Sequence, residues 1–244
     1  MATSEMENQG AMAHKLPKAP LVDRIDFLVG EARTKRVIHV GFVDTGCRTL
    51  HQRKNAWLHA HLDEVASSLV GIDVDEIGVK DAEAAGYEAY AADCRDAEQL
   101  TALGIEPAQL VIAGEVIEHI DDPGAFLDGL QALVAPGGRL IITTPNAYGL
   151  FNVVASLAHR EINHPDHVLM FTWQTLTNLA SRYGWAPVET HVYVPVVKGA
   201  PGRGIGAKVV GLIGRGTVGL ERLLAKLGRG YAADGMIITF RSTR

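Results

Sequence analysis

Short apolar runs alternate along this chain with segments of helical periodicity. The pattern predicts strands at residues 36–43, 68–74, 87–92, 110–113, 139–144, 188–197 and 236–240. It predicts helices at residues 21–28, 49–66, 76–85, 122–133 and 173–183. The alternation is typical of an α/β protein with a doubly wound, mostly parallel sheet.

Composition narrows the classes of protein that fit this pattern. The chain has 244 residues, 47% hydrophobic and 21% charged, with a formal net charge of −5. Nucleic acid is therefore a poor default partner, because it demands a basic surface. Cys47 and Cys94 have no metal-type spacing and exclude a disulfide scaffold, which favours a reducing cytoplasm. We predict a disordered tail at residues 1–18 without a signal peptide, and one domain at residues 19–244.

Candidate chemistry follows the fourth predicted strand. Glu115, Glu118 and His119 come directly after an apolar run. If the chain turns helical at Glu115, their spacing places all three on one helical face. That face would open at the carboxyl end of a strand, where open α/β sheets place their ligands.

Two longer stretches identify a family. Residues 110–123 (LVIAGEVIEHIDDP) and 133–146 (LVAPGGRLIITTPN) resemble those of class I S-adenosylmethionine-dependent methyltransferases. The resemblance implies a Rossmann-like, seven-stranded sheet of order 3-2-1-4-5-7-6. Its last strand would be antiparallel, and helices would cover both faces.

The resemblance also implies a cofactor site. Asp73 would meet the ribose, Asp93 the adenine amino group, and Cys94 the ring; Glu115 would also touch the cofactor. As alternatives, Asp73 caps the following helix and Asp93 caps a loop. The glycine-rich loop departs from the family: Gly41 is kept, but His39 stands where an acid is common and Val43 where a second glycine is common.

The Glu-x-x-Glu-His run resembles a narrower group of metal-dependent O-methyltransferases, including small-RNA 2′-O-methyltransferases and ubiquinone-pathway enzymes. This implies a Mg²⁺ or Mn²⁺ site made by Glu115, Glu118 and His119 with a later histidine, for which we favour His167 over His164. His119, His164 and His167 are the predicted catalytic residues. Alternatively, Glu118 and His119 only shape the helix.

The substrate is less defined. Pro145-Asn146, the run from Asn163 to His167 and a basic insertion at about 198–230 resemble those of bacterial methyltransferases of envelope glycans and glycolipids, which implies a sugar hydroxyl as acceptor. The alternatives are a metal-independent methyltransferase of a quinone or lipid, an RNA methyltransferase, which the net charge opposes, and a non-catalytic binding module. Homodimerisation stays open.

Residues 198–229 are predicted to form two short basic amphipathic helices. Such helices can lie on an anionic membrane, cover a phosphate-bearing substrate, or form a solvated insertion.

Overall fold

The structure is a computed structural model that describes residues 15–44, 57–157, 159–195 and 205–244, with side chains of 205–213 excepted. Its seven strands form one sheet of order β3-β2-β1-β4-β5-β7-β6, as predicted. Strands β1 to β5 are parallel, and β7 runs antiparallel to both of its neighbours. The strands are β1 Arg36–Val40, β2 Ser68–Asp73, β3 Ala89–Ala91, β4 Ala108–Gly114, β5 Val134–Pro145, β6 Trp185–Tyr193 and β7 Gly235–Ser242.

Eight α-helices lie within the described ranges. They are α1 Arg24–Ala32, α2 Leu58–Asp63, α3 Glu76–Ala84, α4 Ala97–Ala102, α5 Pro123–Gly129, α6 Leu150–Leu157, α7 Trp173–Arg182 and α8 Ile205–Lys226. Short 3₁₀ helices occupy Ile117–His119, Leu130–Leu133 and Gly230–Ala232. No described helix combines the length and apolarity that a membrane crossing needs.

The two faces of the sheet bury separate cores. Along β4, Val111 and Ala113 point to a core shared with α5 and α7. Leu110 and Ile112 point to the other core, which packs against α1 and α2. This alternation with period two is why the apolar run of β4 contains no polar position between Leu110 and Ala113.

Several sequence predictions need correction. Strand β1 ends at Val40 rather than at residue 43, because Gly41 takes a positive φ of 70°. The chain does not turn helical at Glu115, which has a φ of 59°, and a 3₁₀ helix begins at Ile117. The basic segment forms one helix, α8, rather than two. Its glycines cost about 1 kcal/mol each in a helix, and packing of the buried face offsets this.

Other predictions lie partly outside the described residues. Most of the predicted tail at 1–18 and the first half of the predicted helix at 49–66 fall there. The helix that is described, α2, begins at Leu58. The N-cap of α3 is Asp75, whose side chain accepts hydrogen bonds from the amides of Ile77 and Gly78, so the capping role considered for Asp73 is wrong.

Asn146 joins the end of β5 to the start of β7. Its side-chain amide is 1% exposed and donates to the carbonyls of Tyr231 and Ala233, both at 2.8 Å. Its Oδ1 accepts from the amide of Tyr148 at 3.1 Å. The segments on both sides of this residue therefore depend on one buried side chain.

Replacing Asn146 by alanine is expected to lower the free energy of unfolding by about 2 kcal/mol or more, because two buried carbonyls lose their donor. Urea denaturation measures this. Asn146→Asp keeps the acceptor for Tyr148 but cannot donate to the carbonyls, so it should be destabilised as well. Wild-type stability in the aspartate variant would show that the donated bonds carry little energy.

Candidate functional site

A cavity of about 680 Å³ opens at the carboxyl ends of β1, β2 and β4. Its volume falls within the range of about 300–1,000 Å³ that is usual for small-molecule sites. Nine of the residues predicted from sequence line it: His39, Gly41, Asp73, Asp93, Cys94, Glu115, His119, His164 and His167. Glu118, the remaining predicted residue, is fully buried beside this cavity and does not line it.

Gly41 forms the turn at the end of β1. A Cβ built on it would lie 2.2 Å from Cγ2 of Val116, and its φ of 70° is one that other residues rarely adopt. The side chain of Val116, in the turn after β4, therefore packs directly against the main chain of Gly41. Both residues line the cavity, so a side chain at position 41 would displace part of its wall.

Replacing Gly41 by alanine is expected to weaken binding of S-adenosylhomocysteine at least tenfold, since loop and turn must separate. Calorimetric titration measures the affinity. Gly104→Ala is the matched control, because its φ of 65° imposes the same backbone strain with nothing within 4 Å of the added methyl group. Equal losses in both variants would indicate general destabilisation rather than a local effect on the cavity.

The two predicted cofactor acids have partners inside the protein. Asp73 Oδ2 accepts from the amide of Val43 and Oδ1 from that of Asp75, so this carboxylate anchors the loop after β1. Burial raises the pKa of Asp73. Asp93 is bound through both oxygens by Arg95, which also contacts Asp121, and hydrogen bonding by Arg95 lowers the pKa of Asp93. Both carboxylates still border the cavity.

His39 and Cys94 are buried and uncharged. His39 Nδ1 lies 3.2 Å from Nδ1 of His59, so one ring donates and the other accepts. Burial holds the pKa of His39 well below its ordinary value, helped by His59 and Arg24, and burial lowers the pKa of His59 to about 3. Burial raises the pKa of Cys94 to about 12, so the thiol stays protonated. An uncharged histidine pair thus occupies the position at which the family resemblance led us to expect an acid.

Glu115 lies at the centre of a polar network. Its Oε1 accepts from the hydroxyl of Tyr193 at 2.6 Å and from that of Thr143 at 2.8 Å. Arg24 donates to the same threonine and lies 4.0 Å from Oε1. These contacts hold a residue whose positive φ is itself costly.

Glu118 links this network to the segment on the other side of the cavity. Its Oε2 accepts from Thr144, whereas its buried Oε1 has no hydrogen-bond partner among the described residues. Burial, and then the charge of Glu115, raise the pKa of Glu118 to about 8. Its backbone carbonyl accepts from the amides of Val168 and Leu169, so the turn after β4 fixes the chain that follows residue 163.

Three histidines meet at the mouth of the cavity. His119, His164 and His167 each offer a ring nitrogen, and these atoms lie within 4.8 Å of one another. The chain brings them together although 45 residues separate His119 from His164 in the sequence. His164, which the sequence analysis ranked below His167 as the later ligand, belongs to the same group.

Hydrogen bonds fix the ring protons of two of them. His119 Nδ1 lies 3.1 Å from the carbonyl oxygen of Asp166, which can only accept. His167 Nδ1 lies 2.6 Å from Oδ1 of Asn163, an oxygen that also accepts the His164 amide. Both rings therefore carry their proton on Nδ1 and present a free lone pair on Nε2.

The third ring is arranged differently. His164 Nδ1 accepts from the amide of Asp166 at 3.3 Å, so its proton lies on Nε2. Partial burial, and then the neighbouring His119 and His164, lower the pKa of His167. At neutral pH His167 is therefore an uncharged imidazole able to accept a proton or bind an ion.

The sequence did not reveal four residues that shape this site. Arg24 and Trp57 line the cavity, Tyr193 binds Glu115, and Asn163 orients His167. Arg24 lies 119 residues before its partner Thr143, so no local pattern could associate them. Asn163, four residues before His167, is the one that spacing could have indicated.

A cavity at the carboxyl edge of a sheet ordered 3-2-1-4-5-7-6 defines the class I, S-adenosylmethionine-dependent methyltransferase fold. A family model described as a methyltransferase domain matches residues 12–190. The chain belongs to this family. Among solved structures, a SAM-dependent methyltransferase from Archaeoglobus fulgidus has a TM-score of 0.50 at 15% identity, covering 88% of this chain and 93% of that one.

Further similarities have lower identity or cover shorter stretches. Magnesium protoporphyrin IX methyltransferase from Synechocystis PCC 6803, solved with bound SAH, has a TM-score of 0.53 at 13% identity over 88% of this chain and 80% of that one. Ubiquinone biosynthesis O-methyltransferase of Caulobacter sp. strain K31 is 50% identical over 50 residues, 20% of each chain. That of Parvibaculum lavamentivorans is 32% identical over 108 residues, 43% of this chain and 40% of that one. The aligned stretches thus span less than half of these curated relatives.

Proposed function

We propose that this protein transfers a methyl group from S-adenosylmethionine to a hydroxyl of a small apolar molecule of the quinone or lipid class, assisted by a divalent metal ion. The observation that carries the proposal is the group His119, His164 and His167 at the mouth of the cofactor-sized cavity. A hydroxyl is a poor nucleophile at neutral pH, and neutral imidazoles are suited to activate it.

The cavity fits the cofactor. Gly41 gives it a wall of backbone, and Asp73 and Asp93 offer carboxylates to sugar hydroxyls and to an adenine amino group. Arg95 and the amide of Val43 compete for these carboxylates, so cofactor binding would share or replace those bonds. When bound, S-adenosylmethionine supplies the sulfonium methyl group that is transferred.

The acceptor class rests on the local relatives. The curated proteins that match parts of the chain are ubiquinone biosynthesis O-methyltransferases, whose name gives an oxygen acceptor in the synthesis of a quinone. The cavity wall contributes apolar groups beside its polar ones, including Val116, Ile120 and Phe126. The sugar hydroxyl predicted from sequence has no counterpart among these relatives, so we place it second.

The histidine group fits a divalent ion. Metal-bound histidines usually donate their other ring N–H to a carboxylate, a backbone carbonyl or water. His119 donates to the backbone carbonyl of Asp166, and His167 donates to the side-chain oxygen of Asn163. We assign the ion to Nε2 of these two. Nitrogen donors favour Mn²⁺ or a later transition ion over Mg²⁺. When bound, such an ion lowers the pKa of an acceptor hydroxyl.

His164 is the candidate proton acceptor. Its Nδ1 takes only a 3.3 Å bond from a backbone amide, and its side chain is 56% exposed. A small rotation of the ring would turn this lone pair to the cavity. His119 and His167 are held by shorter bonds to oxygen acceptors and are better suited to stay in place.

A methyl-transfer assay tests the function. Purified protein, S-adenosylmethionine carrying a labelled methyl group, and a panel of alkylated catechols, lipid alcohols and free or glycan-linked sugars would be combined with EDTA or with Mn²⁺. We expect transfer to the hydroxyl of an apolar acceptor, and only in the presence of Mn²⁺. Mn²⁺ binding followed by electron paramagnetic resonance reports on the ion independently of turnover.

Three results would contradict parts of this proposal. Transfer restricted to sugars would overturn the acceptor class. If EDTA did not change turnover and electron paramagnetic resonance showed no bound Mn²⁺, the protein would be a metal-independent methyltransferase. Absence of S-adenosylhomocysteine binding would remove the enzymatic function and favour a binding module.

A further inference from the structure

Two neighbouring helices leave apolar surface exposed. Helices α6 and α8 pack against each other. On α6, Leu157 is 80% exposed, and Val153 is also exposed. On α8, Leu227 is 67% exposed, and Leu220 and Leu223 are also exposed. A run of exposed leucines on packed helices is unusual for a surface that faces only water.

Within its described side chains, α8 divides into three faces. The buried face is formed by Gly214, Thr217 and Glu221. Helical spacing places one exposed flank about 125° from that face, and it consists of Leu220, Leu223 and Leu227. The opposite exposed flank lies about as far on the other side and consists of Arg215, Arg222 and Lys226. The helix thus presents adjoining apolar and basic surfaces away from the protein.

The charge of this helix opposes that of the whole chain. The formal net charge of the protein is −5. Residues 214–229 contain four cations, all exposed, and their single acid, Glu221, is buried. An exposed apolar flank beside exposed cations is complementary to a surface that is anionic outside and apolar beneath.

Both helices lie at the edge of the sheet where the cavity opens. Helix α6 follows the carboxyl end of β5, and Asn146 ties that end to the 3₁₀ helix after α8. The neighbouring strand β4 ends at Gly114, opposite Thr143 of β5, next to the turn that carries Glu115 and His119. The exposed surface and the histidine group are therefore on one side of the molecule.

We propose that the α6–α8 surface, formed by Val153, Leu157, Leu220, Leu223, Leu227, Arg215, Arg222 and Lys226, docks on an anionic lipid membrane. Helix α8 would lie in the plane of the headgroups, since no described helix can cross a membrane. A second copy of the chain is a poorer occupant, because the basic flank of one copy would repel the basic flank of the other.

The docking would place the mouth of the cavity near the layer from which an apolar acceptor leaves the bilayer. This last step rests on the proposed function, whereas the docking itself does not. Membrane binding without cofactor or acceptor therefore tests the surface separately from the chemistry.

Co-sedimentation of the full chain with vesicles tests the proposal. We expect binding to phosphatidylcholine vesicles that contain phosphatidylglycerol and much weaker binding to phosphatidylcholine alone. Removing the three cations together (Arg215→Gln, Arg222→Gln, Lys226→Gln) should lower partitioning about 100-fold, at about fivefold per charge. The pair Leu223→Ser and Leu227→Ser should lower it at least about tenfold.

The control is a matched pair on α3, at the other end of the sheet. Ile77 is 75% exposed and Lys80 is 73% exposed, so Ile77→Ser with Lys80→Gln makes the same kinds of change elsewhere. Circular dichroism confirms that each variant is folded. Equal partitioning of wild type on neutral and anionic vesicles, or equal loss in the α3 control, would overturn the proposal. So would leucine variants that bind vesicles normally but abolish a wild-type dimer, since the surface would then be a subunit interface.

Discussion

Alanine at position 167 is expected to lower turnover at least about 100-fold while leaving S-adenosylhomocysteine affinity within a few-fold of wild type. The change removes a lone pair that Asn163 orients toward the cavity, and it removes one of the two assigned ion ligands. Binding of Mn²⁺ should fall with turnover. A timed methyl-transfer assay measures turnover, calorimetry measures the affinity for S-adenosylhomocysteine, and electron paramagnetic resonance measures Mn²⁺ binding.

Variants of neighbouring histidines separate the proposed roles. His164→Ala should lose turnover but keep Mn²⁺ binding, because its assigned role is to accept a proton. His159→Asn is the control, since this residue lies outside the cavity lining and asparagine tolerates its φ of 51°. If His167→Ala bound Mn²⁺ as wild type does and still turned over, both assigned roles would be wrong.

The second large effect concerns stability at alkaline pH. Glu221 of α8 is fully buried against Asp234, and burial followed by the charge of Asp234 raises the pKa of Glu221 to about 8. Burial raises the pKa of Asp234 as well. The folded protein therefore keeps Glu221 protonated at a pH where the unfolded chain has released that proton.

The sign of the effect follows from that proton. At Glu221 the folded state holds more proton than the unfolded state between about pH 4.5 and 8, so the contribution of this residue to stability falls as pH rises through this window and levels off above it. Because each pKa unit corresponds to about 1.4 kcal/mol, the total loss is a few kcal/mol. Urea denaturation from pH 5 to 9 measures it.

Glu221→Gln should make the pH dependence of stability shallower than in wild type and make the protein more stable than wild type at pH 9, because the amide has no proton to lose. The part contributed by Glu118, whose pKa is also raised to about 8, should remain. Glu98→Gln, on the exposed surface of α4, is the control and should leave the wild-type slope unchanged. A slope in Glu221→Gln equal to that of wild type would assign the effect to other groups.

The fold was largely predictable because its strands are short apolar runs with turn residues at both ends. The predicted order 3-2-1-4-5-7-6 matches the structure, and Asp122-Pro123 begins a helix as expected. The prediction from helix propensity was wrong at α8, where the glycines suggested two short helices and the structure has one. Burial of the face that carries Thr217 and Glu221 is a tertiary effect and cannot be seen in local sequence.

The site was predictable where family resemblance names residues and unpredictable where geometry depends on distant partners. His119 lies with His164 and His167, as the later histidines suggested, whereas Glu115 and Glu118 of the predicted metal set are not in this group. The helical turn expected at Glu115 is absent because Thr143, Tyr193 and Arg24 hold that residue in a left-handed conformation. None of these three lies near Glu115 in sequence, so the rule of helical spacing could not anticipate them. The roles of the predicted site residues stay predictions until binding is measured.

The carbonyl of Glu118, which accepts the amides of Val168 and Leu169, has a consequence for redesign of the protein. Together with the hydrogen bond between His119 and Asp166, it holds the segment that carries His164 and His167 against the turn that carries His119. Chain length can therefore change at residues 159–162 without displacing the chemical groups. Loop grafts at that position are a route to new acceptors on an unchanged reaction centre.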